Sequence, residues 1–172
     1  DEEASKEASR QEIIRRYYNT LNLLVEGNAS ESEVNKLELL MKQAGVTTDD
    51  RKVTVAAKER GAKSKVPSAA IELEDGTIIT SETSDLLGTS AALILNATKQ
   101  LAGIDHKIKL IPKEMIEPIQ KMKVTYLSGN NPRLHTDEVL VALAMLSKTD
   151  ENCFKALEQL PKLSGCQAHT TA

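Results

Sequence analysis

The chain has 172 residues and a formal net charge of −3, with 40% apolar residues but only 2% aromatic ones. This balance lacks the basic field that nucleic-acid binding needs, so we expect no nucleic-acid partner. No apolar run is long enough for a membrane span, and no signal-peptide pattern follows Asp1, so we expect no membrane partner and a cytoplasmic location. Cys153 and Cys166 are then expected to be reduced thiols.

Residues 1–63 have the pattern of three helices and are predicted to form a helical subdomain. Ser9 with Glu12 matches a capping box, and apolar residues then recur every three or four positions until Gly27 ends the first helix. Because this stripe lies on one face, the segment is predicted to dock on a partner subunit, which makes the protein a homo-oligomer.

The second and third helices of this subdomain have clear signals at their ends. Ser30 with Glu33 is a second capping box, and Gly45 is a typical residue for the end of that helix. The third helix is predicted over 48–61. Small residues, two lysines and a proline over 61–68 predict a solvated linker.

The chain changes character after this linker, and residues 64–172 are predicted to form a second subdomain. Two β-prone segments, 69–73 and 77–80, flank Asp75 and Gly76, and an Asp-Gly pair between such segments is a strong hairpin signal. We therefore predict a β-hairpin here.

A helix buried on most faces is predicted next, because residues 86–101 are apolar nearly all round, with Ser84 as its N-cap. The remaining predictions are, in order, a strand over 107–111, a short helix over 112–121 interrupted at Pro118, a strand over 124–127, a helix from Thr136, a helix over 152–160 and a strand from Ala168.

This order of elements predicts a mixed α+β fold, in which a layered αβα sandwich follows the N-terminal helical segment. Strands separated by helices indicate that part of the sheet is parallel. Asp1 is not a methionine and the last residues look like an unfinished strand, so the chain is expected to be a fragment of a longer one.

The polar turn before the helix that Thr136 is predicted to cap is the first candidate site. Asn131 and Arg133 are suited to bind an anion, and His135 could act as an acid or base with Asp137 fixing its tautomer. The alternative is that these residues cap the helix and lie on the surface.

The hydroxyl-rich start of the buried helix is the second candidate, because free N–H groups and hydroxyls at a helix N-terminus suit a phosphate or carboxylate. Simple capping is the alternative, since no phosphate-loop glycine pattern is present. The candidate binding residues are Thr83, Ser84, Thr89 and Ser90.

The third candidate is Cys166 with His169, spaced as CxxH near the end of the chain. A thiol beside an imidazolium becomes a thiolate nucleophile, and His135 and Asp137 would complete the catalytic set. A zinc site would need those same two residues as further ligands, and we do not favour it. A small buried thiol beside a hydrogen-bonded histidine is the alternative.

Five segments carry a resemblance to a known family: QEIIRRYYNTL, AAIELEDGTIITSETSDLLGTSAALILNA, IEPIQKMK, NPRLHTDEVLVAL and ALEQLPKLSGCQAHTTA. They resemble the C-terminal region of the bacterial family called domain of unknown function 1846. The resemblance implies a longer cytoplasmic protein with a nucleotide-binding-like N-terminal region, and a helical insert followed by an αβα sandwich similar to cytidine-deaminase-like folds. It implies no deaminase chemistry, because the Pro-Cys-x-x-Cys signature is missing, and it identifies no cofactor.

Two functions follow from these patterns. The first is the substrate-binding half of an enzyme that acts on a small anionic molecule, with a nucleotide-binding-like half outside this chain. The second is a structural and oligomerisation module, in which both polar clusters serve only as caps and satisfied hydrogen bonds.

Overall fold

The computed structural model describes residues 1–171, and the chain divides into two compact units, Asp1–Lys52 and Val53–Ala172. Over residues 1–171, the helices and one antiparallel sheet confirm the predicted mixed α+β class. No helix of this described range combines the length and the apolarity needed to cross a membrane. The elements are α1 (Glu2–Val25), α2 (Glu31–Ala44), α3 (Lys52–Ser64), β1 (Ser68–Glu72), β2 (Ile78–Glu82), α4 (Thr89–Ala102), α5 (Lys113–Lys121), α6 (Thr136–Leu146), α7 (Glu151–Glu158) and β3 (Ala168–Thr170).

The first helix starts earlier than predicted. Asp1 caps α1 by accepting a hydrogen bond from the Glu3 N–H at 3.1 Å, so the cap predicted at Ser9 is wrong. Ser9 lies inside the helix, where its hydroxyl donates to the Ser5 carbonyl at 3.0 Å. The helix ends at Val25, close to the predicted stop, because Gly27 has a positive φ of 79°.

The second helix has the predicted boundaries. Ser30 and Glu33 form a reciprocal capping box at its start, and Gly45 adopts the left-handed conformation after its end. The apolar sides of α1 and α2 meet in a small core made of Ile14, Met41 and Val46. Apolar residues of the predicted stripe are therefore buried between the helices of this unit and are not left for a partner subunit.

The predicted linker over 61–68 is wrong in its first half, because α3 continues through it to Ser64. Glycine costs a helix about 1 kcal/mol relative to alanine, which is why the sequence suggested a stop. Packing offsets that cost, since Val53 and Ala57 of α3 are fully buried against Ala70 of β1.

The predicted hairpin is confirmed. The Leu73 N–H donates to the Thr77 carbonyl at 2.8 Å, and Gly76 takes the positive φ of 86° that this turn requires. The strand order is β2-β1-β3 and both pairings are antiparallel, so the predicted parallel pairing within the sheet is wrong. The one parallel feature among the described residues is an isolated bridge between Leu87 and Leu134.

The sheet is covered on both faces, as a layered sandwich requires. Alternate residues of β1 point to opposite sides. Ala69 and Ile71 pack in one core with Leu93 of α4, whereas Ala70 packs in another with α3. This alternation places β1 at the centre of three layers.

Helix α4 is the central helix of this unit, as predicted from its all-round apolar sequence. One side, with Leu93, faces the sheet, and the other, with Ala91 and Leu95, faces a core shared with α5, α6 and α7. Its predicted cap at Ser84 is wrong, because α4 begins only at Thr89.

No strand forms over 107–111, contrary to the prediction. The segment alternates in polarity, but its backbone is held by a side chain. The Lys99 ammonium donates to the carbonyls of His106 at 2.9 Å and Ile108 at 3.1 Å. Leu110 and Ile111 are buried in the core under α4.

Helix α5 passes through Pro118 and continues as one π-helical segment, Met122–Tyr126, so the strand predicted over 124–127 is also wrong. The N–H of Leu127 donates to the Met122 carbonyl, five residues back, at 3.0 Å. β-Prone residues such as Val124 and Tyr126 suggested a strand, but no neighbouring strand accepts them, and both are exposed.

Candidate functional site

The N-termini of α4 and α6 lie side by side in the second unit. The parallel bridge between Leu87 and Leu134 brings them together. The Leu134 N–H donates to the Leu86 carbonyl at 2.9 Å, and the Gly88 N–H donates to the Leu134 carbonyl at 3.1 Å. Each bridge residue is followed by one extended residue and then by a helix, so both helices start from the same place.

Both helix starts open onto one cleft with a volume of about 590 Å³. The cap of α4 is Gly88, which has no side chain to occupy the first N–H groups, and the cap of α6 is His135. The prediction that Thr136 is the cap is therefore wrong by one residue. The cleft is lined by Val66, Pro67, Thr83, Gly88, Thr89, Ser90, Ala91, Asn131, Arg133, His135, Thr136 and Asp137.

Arg133 is the fixed positive charge of this cleft. The Asn131 carboxamide oxygen accepts a hydrogen bond from the Arg133 N–H at 3.0 Å, which shapes the turn. The guanidinium Nε donates to the Ser84 carbonyl at 2.6 Å and so ties the turn to the segment before α4. Within residues 1–171 no carboxylate forms a salt bridge with Arg133, so its charge is available to a ligand.

The other predicted hydroxyls divide into two roles. Thr83 and Ser84 build the turn before α4: the Thr83 hydroxyl donates to the Leu87 carbonyl at 3.2 Å, and Ser84 Oγ accepts from the N–H of Leu87 at 3.1 Å. Thr89 and Ser90 stand at the first positions of α4 and line the cleft, where they can reach a bound molecule.

His135 and Asp137 line the same cleft from the first turn of α6, and both are exposed. An imidazole can donate or accept a proton, and a carboxylate can accept a hydrogen bond from a hydroxyl or an amine. The cleft thus combines Arg133 with an acceptor at Asp137. A ligand that fits both would carry an anionic group and a hydroxyl or amino group.

A partly buried ion pair holds the start of α6 in place, and the sequence patterns did not single it out. Glu138 accepts from the Lys123 ammonium at 2.8 Å and from the His135 N–H at 2.9 Å. The side chain of Glu138 is only 24% exposed and that of Lys123 only 14%. Glu138 follows His135 by three residues, which is capping-box spacing, so this signal was present in the sequence.

The pKa of Glu138 is lowered in the folded protein. Burial alone would raise it, but the hydrogen bonds from Lys123 and the His135 backbone, together with the charge of Lys123, outweigh burial. A carboxyl whose pKa is lower in the folded state stabilises the fold at pH values above its ordinary pKa. That contribution is lost as the pH falls through the folded-state value.

We therefore expect Glu138→Gln to lower the free energy of unfolding at neutral pH by about 2 kcal/mol, since the carboxylate that accepts these hydrogen bonds is lost and Lys123 keeps only the Arg133 carbonyl as an acceptor. The difference from the wild type should shrink below about pH 4, where the wild-type carboxyl also becomes neutral. Urea denaturation across pH measures both effects. Glu117→Gln is the control, because the exposed Lys113–Glu117 pair should change stability by less than about 0.5 kcal/mol. A pH-independent difference for Glu138→Gln would contradict the assignment.

Cys166 lies in another cleft, lined by Glu72, Leu73, Glu74, Ser164, Gly165 and Gln167 as well as Cys166 itself. Its thiol donates to the Lys162 carbonyl at 3.4 Å. Burial and the carboxylates of Glu74 and Glu72 raise the pKa of Cys166, which is the opposite of what a thiolate nucleophile needs. His169 stands on β3, opposite Ala70. The structure thus places neither residue among those that line the cleft of His135.

Alkylation with iodoacetamide tests the thiol of Cys166. Because the thiolate is the reacting form, we expect the Cys166 rate to keep rising with pH without a plateau below about pH 8.5, the ordinary thiol pKa. Cys153 is the internal control: it is fully buried, and burial with the charge of Asp150 raises its pKa to about 11. Mass spectrometry should show Cys153 reacting more slowly throughout. A fast, pH-independent reaction of Cys166 near pH 7 would restore the nucleophile hypothesis.

In the described range, 1–171, no three His, Cys, Asp or Glu side chains are grouped as a metal site would require. The zinc set considered from the sequence needs Cys166 and His135 together, and they line different clefts.

Two family models match this chain. The model described as domain of unknown function DUF1846, C-terminal, matches residues 49–172, and the corresponding N-terminal model matches residues 1–45. The predicted family is confirmed, with one correction: the first residues match the N-terminal model rather than the C-terminal one.

Curated bacterial proteins are similar over nearly the whole chain. A UPF0371 protein of Corynebacterium aurimucosum is 47% identical over 171 residues, which cover 99% of this chain and 34% of that protein. A UPF0371 protein of Streptococcus pyogenes serotype M5 is 48% identical over 171 residues, which cover 99% of this chain and 35% of that protein. The chain thus spans about a third of the length of these relatives.

Proposed function

The chain belongs to the DUF1846 family, and we propose that the cleft between the N-termini of α4 and α6 binds a small anionic molecule as the substrate site of an enzyme. One observation carries the proposal. Two helix N-termini, which the Leu87–Leu134 bridge holds together, open onto the same cleft. In the longer relatives, the rest of the chain would supply the nucleotide-binding-like half.

The electrostatics of the cleft support an anionic ligand. Each helix N-terminus carries a partial positive charge of roughly half an elementary charge, and its first N–H groups have no partner within the helix. Two such ends and Arg133 contribute positive potential, whereas Asp137 is the acid among the lining residues. An anion placed beside Thr89 and Ser90 would meet their free N–H groups and their hydroxyls.

The chemistry proposed for the cleft is acid–base catalysis next to a bound anion. His135 would exchange a proton with the substrate, and Asp137 would orient either the imidazole or a substrate hydroxyl. Both residues stand on the first turn of α6, which is fixed by the Glu138–Lys123 pair. The reacting group would thus lie next to the first turn of α6.

Titration of the protein with inorganic phosphate, followed by backbone amide NMR, tests this proposal. We expect saturable shifts at the amides of Gly88, Thr89 and Ser90 and of Thr136 and Asp137. Titration with sodium chloride to the same ionic strength is the control. Absence of saturable shifts at both helix starts with phosphate and with a small carboxylate, malonate, would refute the site.

The second candidate is a structural module that forms homo-oligomers through the helical segment. The observation in its favour is that Leu23, Val25, Leu39 and Leu40 of the first unit are exposed. They lie outside the α1–α2 core, so a partner could cover them. This candidate requires that Leu39→Lys abolish self-association.

A further inference from the structure

Helix α6 carries an apolar surface that the core does not use. Its sequence is apolar nearly all round, but only one side, with Val139, Ala142 and Leu143, is buried. Val141 is 60% exposed and Met145 is 68% exposed. These two residues lie four apart, so they stand one above the other on the outer side of the helix.

The neighbouring π-helical segment also carries exposed apolar side chains. Lys123 of that segment contacts Glu138 at 2.8 Å, so the segment lies near the first turn of α6. Val124, Tyr126 and Leu127 follow Lys123 and are exposed, the last two by 68% each.

The exposed residues of these two elements are of the types found at protein interfaces. With Met122, Val141 and Met145, six large apolar side chains are exposed by 42% to 68%. Tyrosine and methionine are enriched at protein interfaces relative to the rest of the surface.

The charges along the outer face of α6 identify the partner. Asp137 lies at its N-terminal end, and Lys148 lies in the turn just beyond its C-terminal end. From its N-terminus to its C-terminus, α6 therefore presents an acidic residue, then apolar residues, then a basic residue. An identical helix running antiparallel would present a base to the acid, an apolar middle to the apolar middle, and an acid to the base.

We propose that the outer face of α6 and the adjoining π-helical segment form a twofold interface with a second copy of this chain. A twofold interface uses the same surface on both subunits. That surface must therefore be complementary to a copy of itself rotated by 180°. The face of α6 meets that requirement. Ala144, an exposed small residue between Val141 and Met145, lets the two helices approach closely.

The dimer has a consequence for the cleft. Antiparallel pairing centred between Val141 and Met145 places Lys148 of the second copy beside Asp137, which lines the cleft between α4 and α6. Each subunit then adds a cation at the rim of the other subunit's cleft. The dimer itself does not depend on what the cleft binds.

Sedimentation velocity from micromolar to near-millimolar concentration tests the interface. We expect the wild-type chain to dimerise, and Val141→Lys and Met145→Lys each to weaken dimerisation at least a hundredfold. Both residues are exposed in the subunit, so the thermal melt of either variant at low concentration should match that of the wild type. Leu39→Lys is the control, because Leu39 is an exposed leucine of α2 outside this surface, and it should leave dimerisation unchanged.

Charge reversal tests the antiparallel arrangement. Lys148→Glu should weaken dimerisation about tenfold by placing two acids together, and the combination of Lys148→Glu with Asp137→Lys should restore it. A strictly monomeric wild type at the highest concentration would overturn the proposal. A dimer that Leu39→Lys breaks and Met145→Lys does not would also overturn it, and would favour association through the helical segment.

Discussion

Leu134→Ala is expected to lower the free energy of unfolding by about 3 kcal/mol, because it removes a fully buried side chain and leaves a cavity. Leu134 packs in the core shared by α4, α5, α6 and α7. Its backbone N–H and carbonyl bond to Leu86 and Gly88, respectively. The same residue therefore fills the core and aligns the two helix N-termini.

Urea denaturation at a concentration where the chain is monomeric measures this loss. Leu127→Ala is the matched control, because Leu127 is 68% exposed and the same truncation there should cost less than about 0.5 kcal/mol. We also expect weaker phosphate binding for Leu134→Ala, since the alignment of α4 and α6 loosens. A stability loss below about 1 kcal/mol would mean that the core closes around the missing side chain.

Arg133→Ala is expected to weaken phosphate binding about thirtyfold, which corresponds to the roughly 2 kcal/mol of a charge-assisted hydrogen bond. The guanidinium is the fixed cation of the cleft, and its Nε bond to the Ser84 carbonyl orients it there. The NMR titration described above gives the affinity, and the amide spectrum reports whether the turn at 131–135 keeps its shape.

Two control variants sharpen this test. Arg60→Ala removes the same charge outside the cleft, where Arg60 pairs with Glu82 at 2.9 Å, and should leave phosphate affinity within a factor of about two. His169→Ala reports on the cluster at Cys166 and is expected to have no effect, because His169 is not among the residues lining the cleft. Equal losses for Arg133→Ala and Arg60→Ala would reduce the effect to net charge and refute a specific site.

Local signals in the sequence were reliable where the residues that form a feature are near each other in the chain. Ser30 with Glu33 starts α2, and Asp75 with Gly76 makes the hairpin, since both depend on hydrogen bonds within a few residues. The pair of Ser9 and Glu12 has the same spacing as that capping box but lies inside α1. A cap becomes optional when an earlier one, here Asp1, is present and the residues between favour a helix.

Both wrongly predicted strands show what local patterns omit. A strand needs a partner strand for its backbone groups, and the sequence does not show whether one is in reach. The Lys99 ammonium binds the carbonyl of Ile108 in the first of these segments and that of His106 just before it. In the second segment, the N–H of Leu127 donates to the carbonyl of Met122, five residues earlier in the chain, and not to another strand.

Periodicity and capping signals, which act over a few residues, predict the mixed α+β class, the buried central helix and two groups of candidate residues, one at Thr89 and Ser90 and one at Arg133 to Asp137. The tertiary structure places both groups at one cleft and Cys166 at another, because the Leu87–Leu134 bridge joins segments far apart in the chain. It also decided which side of α6 is exposed: a helix that is apolar all round gives no local sign of which side the core covers.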